Sequence, residues 1–344
     1  MVNLNRELLR AGVDVGCVVA SVRGGSRTDA FEGVTVHRAA SLGTLFSQPL
    51  APSLPSVVRR TAGDVLHLHH PNLLGDVAAL SDAGRPLIVT QHSDVIRQRM
   101  LWPAYGPLVR RALRRARLVA VGSEQLLRVS RELRSFEAKT RVIPFGIPPE
   151  RFVRTPDVDA RVAELRARWG SEPVVLAVGR MVPYKGLNVL LAAAERLDAR
   201  VVLVGGGPEE PRLRRLAGRR VEFAGRVSDD DLVAHYHAAD VFCLPSVTIA
   251  EAFGIVLLEA MACGLPLVTT ALPTGVSAVN RQGVTGIVVP PGDAGALAEA
   301  LRAMLADEAR RKTYGAAARE VLETEYTAAL MAARYVTLYR EALS

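Results

Sequence analysis

The sequence predicts an α/β protein with parallel sheets in two domains. Strand-like apolar runs alternate with helical periodicity along the chain, the pattern of βα units. The 344 residues exceed what one core usually organises, and 49% are hydrophobic, enough for two cores. A proline-rich stretch at 144–157 marks a boundary.

In the first half, residues 3–11 read as a helix. Strands are expected at 14–22, 65–69, 87–90 and 118–122, and Ser123 or Glu124 opens a helix after the last. In the second half, strands are expected at 174–178, 200–205, 221–224, 241–244, 267–269 and 286–289. Helices lie between them: 187–197 has helical periodicity, and 257–262 is rich in helix formers that Gly264-Leu265-Pro266 stops. Residues 294–305, 308–323 and 326–343 are also helical. The expected organisation is a first domain at 1–147, a second at 148–325 and a closing helix at 326–344.

No apolar run approaches the roughly 18–20 residues that span a membrane. The N-terminus lacks the charged head, apolar core and small-residue site of a secretory signal. Cys17, Cys243 and Cys263 sit in apolar surroundings without metal spacing and read as buried thiols in a reducing cytoplasm.

The net charge of +8 is unevenly placed: residues 1–150 hold 20 basic against 12 acidic residues, and the rest hold 23 of each. Between Arg97 and Arg117 there are seven arginines and no acid, interleaved with Trp102, Tyr105 and aliphatic residues. Arg97, Arg99, Trp102, Arg110, Arg111, Arg114 and Arg115 suit an anionic membrane surface. A solvated helix face whose apolar side enters the core accounts for the pattern equally well. No nucleic-acid motif is present.

Two motifs carry chemistry. After the run at 174–178 comes Gly179-Arg180-Met181-Val182-Pro183-Tyr184-Lys185-Gly186. An arginine and a lysine on a strand-to-helix loop suit a diphosphate, one as a planar fork and the other as a point charge. Lys185 is one of only three lysines among 43 basic residues. Further on stands Glu251-Ala252-Phe253-Gly254-Ile255-Val256-Leu257-Leu258-Glu259. Gly254 puts a permissive backbone at a helix start, where free amides and the helix dipole attract phosphate. Glu251 precedes that terminus and Glu259 lies about two turns inside. By itself the segment could be an amphipathic helix with two surface glutamates.

Together these motifs resemble the retaining nucleotide-sugar glycosyltransferases of family 4, which have the GT-B fold: two Rossmann-like domains facing each other across a cleft. The resemblance runs from Val2 onward and includes Val142-Ile143-Pro144-Phe145-Gly146-Ile147 at the hinge, Phe223-Ala224-Gly225-Arg226-Val227 and Gly283-Val284-Thr285-Gly286-Ile287-Val288-Val289-Pro290. It implies that Arg180, Lys185 and the amides of Phe253, Gly254, Ile255 and Val256 hold the donor diphosphate. It also implies that Glu251 contacts the sugar, Glu259 the ribose, and backbone near Arg226 and Val227 the base. The last helix would cross back onto the first domain. The family begins with a strand and glycine-rich loop before the helix read at 3–11. This chain starts at that helix, so a central strand is missing and its neighbours are left unpaired. The start was set too late, or the chain is a shortened, impaired copy.

Thr90-Gln91-His92-Ser93-Asp94-Val95 follows a strand and resembles a His-Ser-Asp motif of a mannosyltransferase-like branch, in which His92 faces the sugar. Ala271-Leu272-Pro273-Thr274-Gly275-Val276 resembles the same branch. His67, His69 and His70 alternate on a strand, which disfavours a metal site. Asp229-Asp230-Asp231 follows Ser228 and reads as a capped first helical turn. Gly205-Gly206-Gly207 reads as a tight turn.

The expectation is a retaining hexosyltransferase with Glu251, His92, Arg180 and Lys185 in the catalytic site, no required cofactor and no metal. The donor is a nucleotide-diphosphate sugar, GDP-mannose before a UDP-hexose. The acceptor is a lipid-linked oligosaccharide or another glycan or lipid in cell-surface polysaccharide synthesis. The location is cytoplasmic, peripheral on the inner membrane face, with no nucleic-acid partner. The alternatives are an impaired sugar-nucleotide-binding or membrane-associated protein, and a sugar-nucleotide epimerase.

Overall fold

The computed structural model describes residues 1–21, 25–45, 48–94 and 102–344. The chain divides into two compact units, Met1–Pro144 with Ala328–Ser344, and Phe145–Thr327.

The first unit opens with α1 (Val2–Arg10), which buries Leu4 and Leu8. Strands β1 (Gly16–Ala20), β2 (Arg27–Phe31) and β3 (Val34–Ala39) form a sheet of order β1-β3-β2, parallel between β1 and β3. The β2–β3 hairpin turns at Glu32 and Gly33, both at positive φ, as a mirror-image turn requires. The sequence reading missed it because Arg27-Thr28-Asp29-Ala30-Phe31 is exposed except for the half-buried Asp29, and so has no apolar face to reveal a period. A two-residue pair, β4 (Thr44–Leu45) and β5 (Gln48–Pro49), precedes α2 (Leu54–Arg60). Then β6 (Leu66–His70), α3 (Leu73–Ser81), β7 (Leu87–Gln91), α4 (Trp102–Arg115), β8 (Leu118–Val121), α5 (Glu124–Val129) and β9 (Thr140–Val142) build a parallel sheet of order β6-β7-β8-β9. β7 and β8 are buried throughout, which is why they read as continuous apolar runs.

The second unit has one six-stranded parallel sheet. Its elements are α6 (Pro156–Trp169), β10 (Val174–Val178), α7 (Leu187–Ala194), β11 (Arg200–Val204), α8 (Glu210–Leu216), β12 (Val221–Gly225), α9 (Asp229–Ala238), β13 (Val241–Leu244), α10 (Ile255–Ala262), β14 (Leu267–Thr270), α11 (Gly275–Val279), β15 (Gly286–Val289), α12 (Ala294–Ala306) and α13 (Glu308–Glu325). The strand order is β12-β11-β10-β13-β14-β15. Trp169, Phe242, Leu257 and Leu322 lie in one core, and Leu190, Leu203, Val268 and Leu301 in the other. Side chains of Thr155, Ser228, Asp293 and Asp307 cap α6, α9, α12 and α13.

The chain ends in α14 (Ala328–Leu343), which packs on α1 and β7 within the first unit. Tyr335 there shares a hydrogen bond with Thr90 (2.9 Å), and Tyr339 shares one with His67 Nδ1 (2.8 Å). His67 Nε2 lies 2.7 Å from Thr90 Oγ1. His70 turns the other way, to Gln91 (2.6 Å) and Tyr105 (3.2 Å), as strand alternation requires.

Among the described residues, the three-stranded and four-stranded sheets of the first unit do not join. β1 and β6 are each a sheet edge, and both line one slot of about 730 Å³ together with Leu54, Val58, Leu74 and Leu343. Ser21 N–H bonds Ala39 O, so the odd residues of β1 pair with β3, and Gly16, Val18 and Ala20 turn their backbone to the slot. Leu66 N–H bonds Pro86 O, so His67 and His69 do the same on β6. An edge of this kind is a row of unmet amides and carbonyls. In hydrogen exchange followed by mass spectrometry or NMR, those five amides should exchange far faster than Ile88, Val89 and Thr90 of β7. Equal protection would mean that the edges are covered.

Burial depresses His67 to a pKa of about 3, and neighbouring His92 adds to the shift. His92 is lowered to about 4, again chiefly by burial. Unfolding exposes these rings to protonation near pH 6.5. Their contribution is therefore complete above that pH and is lost progressively as pH falls from there to the folded values of about 4 and 3. About 2 kcal/mol per ring held this low is lost by pH 5. Denaturant unfolding at pH 7.5 and 5 should show this loss, and the loss should shrink in His67→Asn. An unchanged pH sensitivity in that variant would contradict a buried neutral His67.

Candidate functional site

The strand order of the second unit fixes where a ligand can sit. From β10 the chain steps outward through β11 and β12, and from β13 it steps the other way. The loops that leave β10 and β13 therefore diverge, and a crevice opens at the carboxyl ends of the strands. Those loops are residues 179–186 and 245–254, which contain both motifs.

The loops are locked together. Val247 N–H donates to Tyr184 O at 2.8 Å. Gly186 has φ +64°, and a Cβ there would lie 2.1 Å from Pro245 O, so only glycine fits. The tight turn Pro183–Lys185 buries the lysine side chain, and its Nζ reaches Glu251 Oε2 at 2.5 Å. Ser246 Oγ donates to the same oxygen at 2.9 Å, and the Thr270 hydroxyl holds Ser246 O. Glu251 Oε1 accepts no hydrogen bond among the described residues, and it is not one of the sealed, unsatisfied atoms. Arg180 is exposed and lines a small hollow with Gly179, Lys185 and Pro245. It has no ion pair among the described residues.

The glycine cluster is a packing device. A Cβ on Gly205 would lie 2.1 Å from Gly179 O, and one on Gly207 would lie 2.3 Å from Met181 O. Arg226 is exposed beside Gly206, and Val227 is half-buried against the core.

α10 begins at Gly254, φ +77°, where a Cβ would meet Leu244 at 2.9 Å. No side chain caps this terminus, so its first amides remain available. The Phe253 ring is buried against Phe145 (5.0 Å) and Tyr326 (6.1 Å), which leaves its backbone as the part that can meet a ligand. Ile255 is exposed and Val256 half-buried. Glu259 is the fifth residue of the eight-residue helix, a little over one turn inside rather than two, because the helix starts only at Ile255. Burial raises its pKa, and a hydrogen bond from Tyr236 opposes the rise. That bond is 2.7 Å long, from Tyr236 OH to Glu259 Oε2. The second unit thus gathers Lys185, Glu251 and Glu259 at one sheet end, with Arg151 also in electrostatic reach of Glu259.

His92 belongs to the first unit. Its Nε2 lies 2.9 Å from His69 Nδ1, and the two rings stack at 5.2 Å. His69 is pushed well below the usual histidine range, first by burial and then by His67. His67, His69 and His92 are thus neutral partners of one another. Among the described residues no group of three His, Cys, Asp or Glu side chains is placed to hold a metal.

Arg97 and Arg99 lie outside the described residues. Arg110, Arg111 and Arg114 are exposed on α4, whose other face buries Tyr105, Val109, Ala112 and Leu113. Trp102 is half-buried and meets Tyr105 edge-on at 6.5 Å. Arg115 is a correction to the sequence reading. It is half-buried and donates to the carbonyls of Asp82 and Arg85, so it ties a loop instead of facing outward. Cys17 and Cys263 are only half-buried, unlike Cys243, because Cys17 borders the slot and Cys263 ends α10.

Sequence reasoning missed Ser246 and Tyr236. Ser246 stands two residues past β13, at a strand's carboxyl end, and that position was a usable signal. Tyr236 had none, since an aromatic on an apolar helix face reads as core.

The glycosyltransferase family 4 model matches residues 1–151, and the model of glycosyl transferases group 1 matches residues 163–321. The O-antigen chain mannosyltransferase C of Escherichia coli is 37% identical over 286 residues, 80% of this chain and 75% of that protein. The D-rhamnosyltransferase WbpZ of Pseudomonas aeruginosa is 37% identical over 79% of this chain and 72% of its own. A GDP-mannose-dependent alpha-(1-6)-phosphatidylinositol monomannoside mannosyltransferase of Mycobacterium tuberculosis is 34% identical over 78% and 72%. Among solved structures, sucrose-phosphate synthase from Thermosynechococcus elongatus superposes with a TM-score of 0.81 at 26% identity, covering 98% of this chain and 91% of that one. The chain belongs to glycosyltransferase family 4, has the GT-B fold and is a hexosyltransferase.

Proposed function

We propose that the chain transfers mannose from GDP-mannose, with retention of configuration, to a lipid-linked oligosaccharide or another glycan or lipid in cell-surface polysaccharide synthesis. The observation that carries this reading is the joined pair of loops at the strand-order reversal. It puts Lys185, Glu251 and Glu259 around the uncapped start of α10. The names of the relatives support mannose and, in one case, GDP.

In this reading Arg180, Lys185 and the amides of Phe253 to Val256 neutralise the charge that grows on the departing diphosphate. These fixed positive groups do the work a divalent ion does elsewhere. The diphosphate draws Lys185 away from Glu251, and Glu251 then turns to the sugar hydroxyls. Glu259 holds the ribose, and backbone near Arg226 and Val227 frames the base. The acceptor attacks the face that the diphosphate leaves. The protein works at the anionic cytoplasmic face of a membrane, held by Arg110, Arg111 and Arg114. Among the described residues no helix is long and apolar enough to cross one.

A second reading has a specific support. The D-rhamnosyltransferase is as similar as the mannosyltransferase, and D-rhamnose is mannose without its 6-hydroxyl. Turnover of the two guanosine diphosphate sugars side by side decides between them.

Calorimetric titration with GDP and UDP, with magnesium or with a chelator, tests the donor assignment. GDP should bind more tightly, and to the same extent in both conditions. Lys185→Ala and Glu259→Ala should weaken binding about tenfold or more. Glu251→Gln should keep the affinity and lower kcat about 10²- to 10³-fold. Unchanged donor affinity in Lys185→Ala would sink the assignment of the loop at 179–186.

Co-sedimentation with vesicles tests the surface. The triple change of Arg110, Arg111 and Arg114 to glutamine should release the protein from anionic vesicles, at about 1 kcal/mol per arginine. Equal binding to anionic and zwitterionic vesicles, or no effect of the change, would remove α4 from the membrane contact.

A further inference from the structure

We propose that Tyr236 is a positioning residue for nucleotide recognition: its hydroxyl pins one oxygen of Glu259, so that the other meets a vicinal diol. The proposal deepens the donor-site reading above and rests on it.

Tyr236 is fully buried on α9. Its ring is held between Phe152 (6.3 Å) and Phe242 (5.7 Å), so the hydroxyl cannot swing away. It donates to Glu259 Oε2 at 2.7 Å. Glu259 Oε1 has no hydrogen bond among the described residues and is not sealed from solvent. A carboxylate on a free side chain rotates broadly about its last torsion. One fixed oxygen sets its plane, and three lone-pair directions remain open for two sugar hydroxyls. The same bond favours the charged form, which is the acceptor a diol needs.

The hydroxyl also works against burial. Glu259 is surrounded by Tyr236 from α9, Arg151 from the turn Pro149–Phe152, Asp229 at the start of α9, Lys185 and Cys263. Burial and Asp229 favour its protonated form, and Tyr236, Arg151 and Lys185 oppose them. Tyr236 is a neutral donor in direct contact, and its own pKa is pushed far up by burial and by Glu259, so it keeps its proton. Glu251 is held in a related way, with Ser246 and Lys185 both on its Oε2 and its Oε1 open. The two glutamates of the motif are thus each presented by a buried hydroxyl from outside the motif.

The test is titration of wild-type chain, Tyr236→Phe and Glu259→Ala with whichever of GDP and UDP the wild type binds, and with its 2′,3′-dideoxy analogue, from pH 5 to 8. Tyr236→Phe keeps the ring, and its unfolding midpoint serves as the folding control. The proposal expects about tenfold weaker nucleotide binding in Tyr236→Phe. It expects no further loss with the dideoxy analogue, and an acid-side loss of affinity that begins at higher pH than in the wild type. Equal penalties on the nucleotide and its analogue would make Tyr236 a packing residue and overturn the proposal. Wild-type affinity with a wild-type pH profile would also overturn it. Unchanged binding in Glu259→Ala, or no binding of either nucleotide by the wild type, would instead overturn the donor-site reading beneath it.

Discussion

The buried contact between Lys185 and Glu251 is the constraint on which the second unit's site depends. It joins the loop after β10 to the loop after β13, the two places where the parallel sheet reverses its order. Taking either charge out of water alone would be costly, so each side chain is held where it is by the other. Ser246, Thr270 and the Gly186–Pro245 contact complete the lock. The lock also sets the start of α10, since the loop that holds Glu251 runs directly into Gly254. In the proposed function, a diphosphate at that start takes the place of Glu251 as the lysine's counter-charge.

The first unit is organised by a different chemistry. Tyr339, His67, Thr90 and Tyr335 are joined in series by hydrogen bonds across β6 and β7, and His69 and His92 form a second pair beside them. Such a network is stable only while its histidines stay unprotonated, which burial ensures at neutral pH. Two of its tyrosines come from the last helix of the chain, so the network also fastens α14. The open slot between β1 and β6 lies beside it, and His67 and His69 belong to both.

Much of the architecture was legible in the residues. The six strands of the second unit were found within a residue or two, because parallel strands buried on both faces are written as uninterrupted apolar runs. The hairpin of β2 and β3 was not found: the exposed β2 carries no period, and β3, which buries Val34 and Val36, had no partner strand to flank it in the reading. At the candidate site, Arg180, Lys185 and Glu251 stood out by their place in loops after strands, and Glu259 by its spacing from Glu251. Tyr236 and Ser246 did not, since a tyrosine on an apolar helix face and a serine after a strand are ordinary. Arg115 looked like its neighbours in the basic run, and only its carbonyl partners distinguish it.

The sequence by itself determined the α/β class, the two-part organisation and the charged residue types at the candidate site. Local patterns encode these through strand and helix periodicity and through glycines that no other residue can replace. Tertiary structure alone decided that Lys185 rests on Glu251, that Tyr236 bonds Glu259 and that Arg115 ties a loop. Each of these is a contact between residues distant in sequence, and the register and order of strands that bring them together are set by packing of the whole unit.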